Sequence, residues 1–211
     1  MDWQVTDGLV AYDNALEDMR AQVAAMKRAE AGERVWLLEH PPLYTAGSSA
    51  KEADLLGAQF PVHQTGRGGQ YTYHGPGQRV AYVMLDLKKR AEARGEKPDL
   101  RVFVQQLEGW LIATLGQFGI EAFLREGRVG VWVDTPVGEA KIAALGVRCE
   151  QWITSHGMAL NVRPDLSHYA GIVPCGISQF GVTSMAEMGI GARMDEVDAV
   201  LQREFERVFG A

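Results

Sequence analysis

The sequence of 211 residues predicts an α+β fold, in which a mixed or mostly antiparallel sheet is packed against helices. Three long segments, near the start, the middle and the end of the chain, carry apolar residues at the helical period. Four short apolar runs follow one another between the second and the third of these segments, with turn residues between them. This succession is typical of an antiparallel meander and differs from the regular alternation of strands and helices in a parallel sheet.

The predicted elements follow from local signals. Thr6 or Asp7 would cap a first helix, with Gly32 just beyond its end, and Asp99 would cap a second long helix that Gly119 closes. Residues 43–47 are expected to lead into a loop. The predicted strands are residues 35–39, 62–65, 80–87, 121–124, 129–133, 140–149 and 153–162, and a third helix is expected at residues 195–208.

The composition indicates a single domain spanning residues 1–211, because 46% of the residues are hydrophobic and no linker-like segment divides the chain. The formal net charge of -6 argues against nucleic acid as a partner, since such surfaces need concentrated Lys and Arg. The N-terminus has no signal-peptide pattern and no apolar run is long enough to span a bilayer, so a cytoplasmic protein without a membrane partner is expected. Both cysteines would then remain reduced.

A glycine-rich segment, residues 66–78, is the first candidate binding site. It contains five glycines among thirteen residues, which allow the backbone to approach a ligand closely. Tyr71, Tyr73 and His74 lie among the glycines, which suits a slot for an elongated apolar ligand with a few polar contacts. The segment lacks the Gly-Lys-Ser/Thr run of a P-loop and does not open a helix as a dinucleotide-binding loop does. An unusual β-turn without a ligand is the alternative.

Cys175 is the candidate nucleophile, because Pro174 and Gly176 constrain the backbone on both of its sides. A cysteine attacks as thiolate, and its reference pKa of about 8.5 leaves little thiolate at neutral pH without a nearby cation or base. A small buried hydrophobic role is the alternative. Cys149 competes for the nucleophile role, but it has no such Pro/Gly frame.

Lys141, at the head of an apolar strand, is the candidate cation beside this thiol. Strand alternation predicts that it shares a face with Ala143, Leu145 and Val147. A lysine on a partly apolar face is unfavourable unless it lies at the rim or has a partner. A surface lysine with a buried stem is the alternative.

The histidines give two candidate bases but no metal site. His74 lies in the glycine-rich segment and His156 opens a predicted strand, so either could act as a base, with a structural histidine as the alternative for each. His40, His63 and His168 have no metal-ligand spacing with them, and neither an HExxH nor a CxxC pattern occurs. We therefore expect no metal.

Taken together, the motifs resemble those of the lipoyl (octanoyl) protein transferases, over most of the chain. Each motif alone is weak, but their order and spacing are specific. The matching residues are Glu-His-Pro-Pro at 39–42 with Tyr44, Thr45 and Gly47, then 67–78, 141–146, 156–162 and Pro-Cys-Gly at 174–176.

The resemblance implies a fold of the biotin and lipoate protein ligase type, which is class II synthetase-like. It implies transfer of an octanoyl group from octanoyl-acyl carrier protein to a lysine of a lipoyl domain by double displacement, without ATP or another cofactor. The family's thioester-forming cysteine maps onto Cys175, and the lysine that tunes it maps onto Lys141. The implied acceptors are the lipoyl domains of 2-oxoacid dehydrogenase E2 subunits and the glycine cleavage H protein.

The family's substrate-lining positions also map onto this sequence. They are Arg67, Gly68, Gly69, Gln70, Tyr71, Thr72, Tyr73, His74, Ala144, Leu145, Gly146, His156, Gly157, Met158 and Ala159.

Two departures and two alternatives accompany the resemblance. Val173 stands where the family usually has Asn, and residues 177–180 differ from the commoner pattern. An ATP-dependent lipoate or biotin ligase and a non-catalytic module that binds lipoyl domains are the alternative functions. An acidic carrier protein could be steered by a basic cluster consisting of Lys88, Lys89, Arg90 and Arg94 with Arg67.

Overall fold

The computed structural model of this chain describes residues 1–173 and 181–210. The strands are β1 (Asp2–Leu9), β2 (Arg34–Glu39), β3 (Leu43–Ala46), β4 (Val62–Gln64), β5 (Tyr71–His74), β6 (Gln78–Met84), β7 (Ala122–Arg125), β8 (Arg128–Thr135), β9 (Gly138–Glu150), β10 (Ile153–Asn161) and β11 (Gly181–Val182). The helices are α1 (Tyr12–Lys27), α2 (Leu87–Ala93), α3 (Leu100–Gln117) and α4 (Met194–Phe209), with short 3₁₀ turns at Glu52–Asp54 and Leu166–Gly171.

Within these residues, the larger sheet has the strand order β1-β2-β6-β10-β9-β8-β7, and β11 pairs with β9. β7 to β10 form the antiparallel meander that the four apolar runs predict. β1 pairs in parallel with β2, so the sheet is mixed, and the predicted fold class is confirmed. Gln151 and Trp152, with φ of 52° and 68°, form the turn between β9 and β10; a two-residue turn with positive φ matches the twist of its strands.

The N-terminal segment differs from the prediction. Residues 2–9 form β1, and α1 follows it, so the predicted helix cap at Thr6 or Asp7 is wrong. The Thr6 hydroxyl instead accepts a hydrogen bond from Trp36 Nε1 of β2 at 2.9 Å. Pairing of β1 with the distant strand β2 therefore outweighs the local capping signal. Neighbouring residues alone do not reveal this pairing.

Two further elements arise where loops were predicted. A smaller sheet, with the order β4-β3-β5, includes residues 43–46 and part of the glycine-rich segment. Its buried tyrosines, Tyr44 and Tyr73, pack against Tyr169 in a separate apolar cluster. The short helix α2 follows β6 and is capped by Asp86, whose carboxylate accepts from the backbone N–H of Lys89 at 3.0 Å.

The two faces of the larger sheet are covered differently. On the packed face, α3 and α4 bury aliphatic and aromatic side chains such as Trp110, Leu111 and Phe205. An ion pair between Arg79 of β6 and Asp198 of α4, at 2.7 Å, joins helix and sheet there. On the opposite side, the cavity face, α1 covers part of the sheet and leaves room beside it. Among the described helices, none has the length and apolar character needed to cross a bilayer.

Candidate active site

A cavity of about 470 Å³ lies between the cavity face of the larger sheet and the glycine-rich segment. This volume is typical of small-molecule sites. Predicted residues that line it are Arg67, Gly69, Gln70, Tyr71, Thr72, His74, Ala144, Leu145, Gly146, His156, Gly157, Met158 and Ala159. Tyr12, Ser49, Val80, Tyr82, Gly127 and Val129 line it as well and were not predicted.

Two predicted positions, Gly68 and Tyr73, are not part of this lining among the described residues. The Tyr73 ring packs in the tyrosine cluster of the smaller sheet, where its hydroxyl lies 2.8 Å from His168 Nδ1. The backbone N–H of Gly68 donates to the carbonyl of Val147 at 2.9 Å. Gly68 thus fastens the glycine-rich segment to β9.

Arg67 braces the glycine-rich segment from within. It is 7% exposed, and its guanidinium donates to the carbonyl oxygens of Thr45 at 2.8 Å, Gln70 at 3.0 Å and Gly68 at 2.9 Å. Gly146 of β9 permits this arrangement, because a Cβ there would come within 2.9 Å of both Arg67 Cδ and the Gly68 carbonyl. Here the glycines let the backbone of the glycine-rich segment pack closely against β9. This contact shapes one wall of the cavity.

Buried histidines and tyrosines lie in and beside the lining of the cavity. Burial lowers the pKa of His40 and of His156 to about 4 and brings the pKa of His74 well below its ordinary value. Burial also raises the pKa of Tyr12 to about 12 and that of Tyr82 well above 10. All five side chains are therefore neutral near pH 7, which suits a cavity for an apolar ligand.

His156 has an unusual conformation within β10. Its φ of 60° lies in the left-handed region, which is strained for a residue other than glycine in a strand. Its Nε2 lies 3.3 Å from the Tyr12 hydroxyl, and its buried Nδ1 has no hydrogen-bond partner among the described residues. Strain and an unsatisfied buried nitrogen favour contact with a ligand. With a pKa of about 4, His156 would act as a neutral hydrogen-bonding group, since a base for neutral pH needs a pKa closer to 7.

Lys141 lies on the cavity face, although simple alternation predicts otherwise. Val131 pairs with Ala143 and Trp132 with Lys141, so Ile142 is an extra residue in β9, a β-bulge. The bulge reverses the alternation: Ala143 belongs to the core of the packed face and Val147 packs against it, whereas Ala144 and Gly146 line the cavity. Leu145 packs against that core and also borders the cavity. The predicted grouping of Lys141 with Ala143, Leu145 and Val147 is therefore wrong.

The Lys141 side chain is buried at the edge of the cavity. It is 5% exposed, and its Nζ donates to the carbonyl of Val129, a cavity-lining residue, at 2.5 Å. The same nitrogen lies 5.1 Å from the centre of the Trp132 ring, within the range of a cation–π interaction. The surface-lysine alternative is excluded by this burial.

Cys175, the candidate nucleophile, lies outside the described residues, as do Pro174, Gly176 and residues 177–180. The chain that follows this segment is described: Gly181 pairs with Ala140, and Val182 pairs with Lys141. Cys149 is half-buried, and burial raises the pKa of its thiol. A raised pKa leaves less thiolate, so Cys149 is a poor nucleophile.

The predicted basic cluster is neutralised on α2. Every one of its α2-associated side chains has an acidic partner within 4 Å: Lys88 with Glu92, Lys89 with Asp86, Arg90 with Glu33 and Arg94 with Glu96. Arg67 is buried in the cavity wall, apart from these pairs. The geometry thus gives little support to a steering surface at this place. Across the described ranges, no group of three or more His, Cys, Asp or Glu side chains is arranged to hold a metal ion.

Comparison with known proteins connects this site to a family. A profile described as the lipoyl protein ligase A/B catalytic domain matches residues 11–206. The chain belongs to this family. A family relative named octanoyltransferase, from Acidiphilium cryptum, is 58% identical over 213 residues, which cover 100% of this chain and 93% of the relative. Another of that name, from Parvibaculum lavamentivorans, is 58% identical and covers 99% of this chain and 92% of its own length. The motif resemblance is confirmed.

Solved structures confirm the fold type. A lipoate-protein ligase A bound with ATP has a TM-score of 0.72 at 16% identity, over 100% of this chain and 86% of that one. A bi-partite lipoate protein ligase from Thermoplasma acidophilum has a TM-score of 0.70 at 16% identity, over 100% and 84%. A biotin protein ligase from Aquifex aeolicus has a TM-score of 0.54 at 11% identity, over 100% and 69%. The family thus shares its fold with the biotin ligases.

Proposed function

We propose that this protein transfers an octanoyl group from octanoyl-acyl carrier protein to a lysine of a lipoyl domain in the cytoplasm, through a thioester on Cys175. The octanoyltransferase activity rests on relatives that match at 58% identity over nearly their whole length. The proposal adds the roles of Cys175 and Lys141 and the identity of the carrier protein as donor. It also adds the acceptors, which are the lipoyl domains of E2 subunits and the glycine cleavage H protein.

The cavity supports an acyl substrate. Val80, Leu145, Met158 and Ala159 give it an apolar lining. The histidines and tyrosines discussed above are neutral, and the guanidinium of Arg67 is held by backbone carbonyl oxygens. Each methylene that an octanoyl chain buries there contributes roughly 0.8 kcal/mol to binding. An apolar cavity of about 470 Å³ with a single buried amine beside it is the observation that carries the proposal.

The position of Lys141 supports its role beside a thiolate. All six lysines lie in the described ranges, and of these Lys141 alone is buried. Its backbone pairs with Val182, at the end of the segment that contains Cys175. As an ammonium group, Lys141 would favour the thiolate form of Cys175 through its charge.

The proposed reaction has two balanced steps. In the first, the Cys175 thiolate attacks the carbonyl of the donor thioester, a new sulfur–carbon bond forms, and the carrier thiol leaves with a proton from the Lys141 ammonium. In the second, the amine of the acceptor lysine attacks the enzyme thioester, the amide bond forms and Cys175 leaves as thiolate. The proton of the attacking amine passes to the now neutral Lys141 amine.

A transfer assay without ATP tests this function. Purified protein, octanoyl-acyl carrier protein and an apo lipoyl domain are mixed, and the mass of the lipoyl domain is followed. We expect one octanoyl group per domain, and none on a domain whose acceptor lysine is replaced by arginine. A product that appears only with free octanoate and ATP would assign the protein to the ATP-dependent ligases, and binding without any product would assign it to the non-catalytic modules.

A further inference from the structure

Gly130, one residue from the carbonyl that holds the Lys141 amine, is in close contact with the Lys141 side chain. We infer that Gly130 is a positioning residue, whose missing side chain allows the Lys141 amine to reach its place beside the cavity. The inference rests on the proposed function for what the amine does there, but its geometric part can be tested without any transfer reaction.

The space beside Gly130 is occupied by Lys141 itself. A Cβ at Gly130 would lie 2.7 Å from Lys141 Cε, 3.0 Å from Lys141 Nζ and 2.8 Å from the Ala143 carbonyl. Contacts this short are repulsive, so any side chain at this position would displace the amine. The φ of Gly130 is 126°, a conformation that residues with a Cβ rarely adopt. Both the backbone and the contact therefore favour glycine.

The bulge and the glycine act on the same side chain from two strands. The extra residue Ile142 in β9 turns Lys141 to the cavity face, where the Trp132 ring lies beside it. On β8, Gly130 leaves the path of the side chain open, and the preceding carbonyl of Val129 accepts from its Nζ. A flexible four-carbon side chain thereby acquires one defined position.

A defined position matters because proton transfer requires the amine within hydrogen-bond reach of the reacting groups. Displacement by an added methyl group would move Nζ away from the Val129 carbonyl and leave the acyl cavity intact. The expected effect is therefore on turnover and on its pH dependence, with little change in substrate binding.

Gly130→Ala is the test variant, and Gly138→Ala is its matched control. Gly138 begins β9, the partner strand of β8 in the same hairpin, has a similar φ of 119°, is exposed, and has no atom within 4 Å of a built Cβ. Both substitutions place a Cβ on a residue with a similar positive φ, and only the first meets the Lys141 side chain and the Ala143 carbonyl. We expect kcat to fall roughly 10-fold to 100-fold in Gly130→Ala, with KM unchanged and the pH profile shifted, and to stay within about twofold in Gly138→Ala.

NMR of lysine labelled with ¹³C at Cε supplies a readout that does not depend on transfer. The chain has six lysines, and the five exposed ones serve as internal references while Lys141→Arg assigns the sixth signal. We expect the Lys141 signal to move in Gly130→Ala and to stay in Gly138→Ala. If wild-type protein shows no transfer, the proposed function fails, and this spectrum still decides the positioning role.

If Gly130→Ala folds poorly, a double-mutant cycle on the melting temperature still tests the inference. If the added methyl group clashes with the lysine side chain, Gly130→Ala combined with Lys141→Ala should melt at a higher temperature than Gly130→Ala alone. An equal loss of Tm with and without the Lys141 side chain, an unmoved Lys141 signal, or an equal loss of kcat in Gly138→Ala would overturn the inference.

Discussion

The two faces of the larger sheet are built on the same strands but are filled in opposite ways. Along β6, Ala81 and Val83 belong to the core under α3 and α4, whereas Val80 and Tyr82 line the cavity. The packed face is closed by large side chains from both helices. The cavity face instead combines small residues, a cavity of about 470 Å³ and buried polar groups that are neutral or held by hydrogen bonds. Stability should therefore depend mainly on the first face and acyl transfer on the second.

The largest expected effect comes from the amine on the cavity face. Lys141→Arg keeps the positive charge, but a guanidinium cannot act as a base at neutral pH. We expect turnover to fall about 10² to 10⁴-fold, the range that a positioned acid or base contributes. The measurement is the rate of octanoyl transfer, with the exposed Lys97→Arg as control at the wild-type rate. Near-normal turnover in Lys141→Arg would rule out the proton-transfer role.

A fall in pH should change the contributions of the two faces to folding stability in opposite directions. His40 and His156, on the cavity side, have a folded-state pKa of about 4, below the ordinary 6.5, because burial disfavours their charged form. Their stabilising contribution is thus full above pH 6.5 and is lost as pH falls toward 4. The loss is on the order of 3 kcal/mol for each histidine. Asp198 on the packed side has a pKa raised from 3.8 to about 6 by burial, so its contribution is greatest below pH 3.8 and is lost as pH rises toward 6.

Urea unfolding at pH 7 and at pH 5 checks these signs. We expect wild-type protein to lose stability at pH 5, because the histidine effect outweighs the opposing one from Asp198. His156→Gln should reduce the loss, and Asp198→Asn should increase it. Equal wild-type stability at the two pH values would contradict this assignment. So would a loss of stability between pH 7 and pH 5 that both substitutions change in the same direction and by the same amount.

The smallest expected effect comes from adding side-chain volume to each face of the sheet. Ala81→Leu adds volume to a filled core and should destabilise the protein by about 1 to 3 kcal/mol. Ala159→Leu adds the same volume beside the cavity and should change stability less, while it shifts the preference of the transferase toward acyl chains shorter than octanoyl. Thermal melts and competition between acyl donors measure the two quantities. Equal destabilisation by both, with an unchanged acyl preference, would show that the cavity is not the acyl site.

Local signals predicted much of the packed face. The helices α3 and α4 carry their apolar residues at the helical period, and the four meander strands are separated by recognisable turns. β1 could not be predicted in this way, because its parallel pairing with β2 depends on residues about thirty positions away. In the smaller sheet β4 matches the predicted strand 62–65, but β3 and β5 were missed for the same reason, since these short strands pair across loops.

The candidate site was predicted through motifs more than through periodicity. The glycine-rich segment, Lys141 and the residues around Gly157 stand out in the sequence, and most of the predicted lining residues reach the cavity. Val80 and Tyr82 could have been found, because their strand alternates and pairs with β10. The bulge at Ile142 could not, since an extra residue is recognised only against the register of its partner strand.

In the proposed reaction an octanoyl group resides on Cys175 between its departure from the donor and its transfer to the acceptor. The direct measurement is the intact mass of the protein after incubation with octanoyl-acyl carrier protein alone, followed by peptide mapping of the adduct. We expect one octanoyl group, on the peptide that contains Cys175, and we expect it to leave when an apo lipoyl domain is added. An octanoyl group on Cys149 instead, or transfer that persists at the wild-type rate in Cys175→Ala, would contradict it.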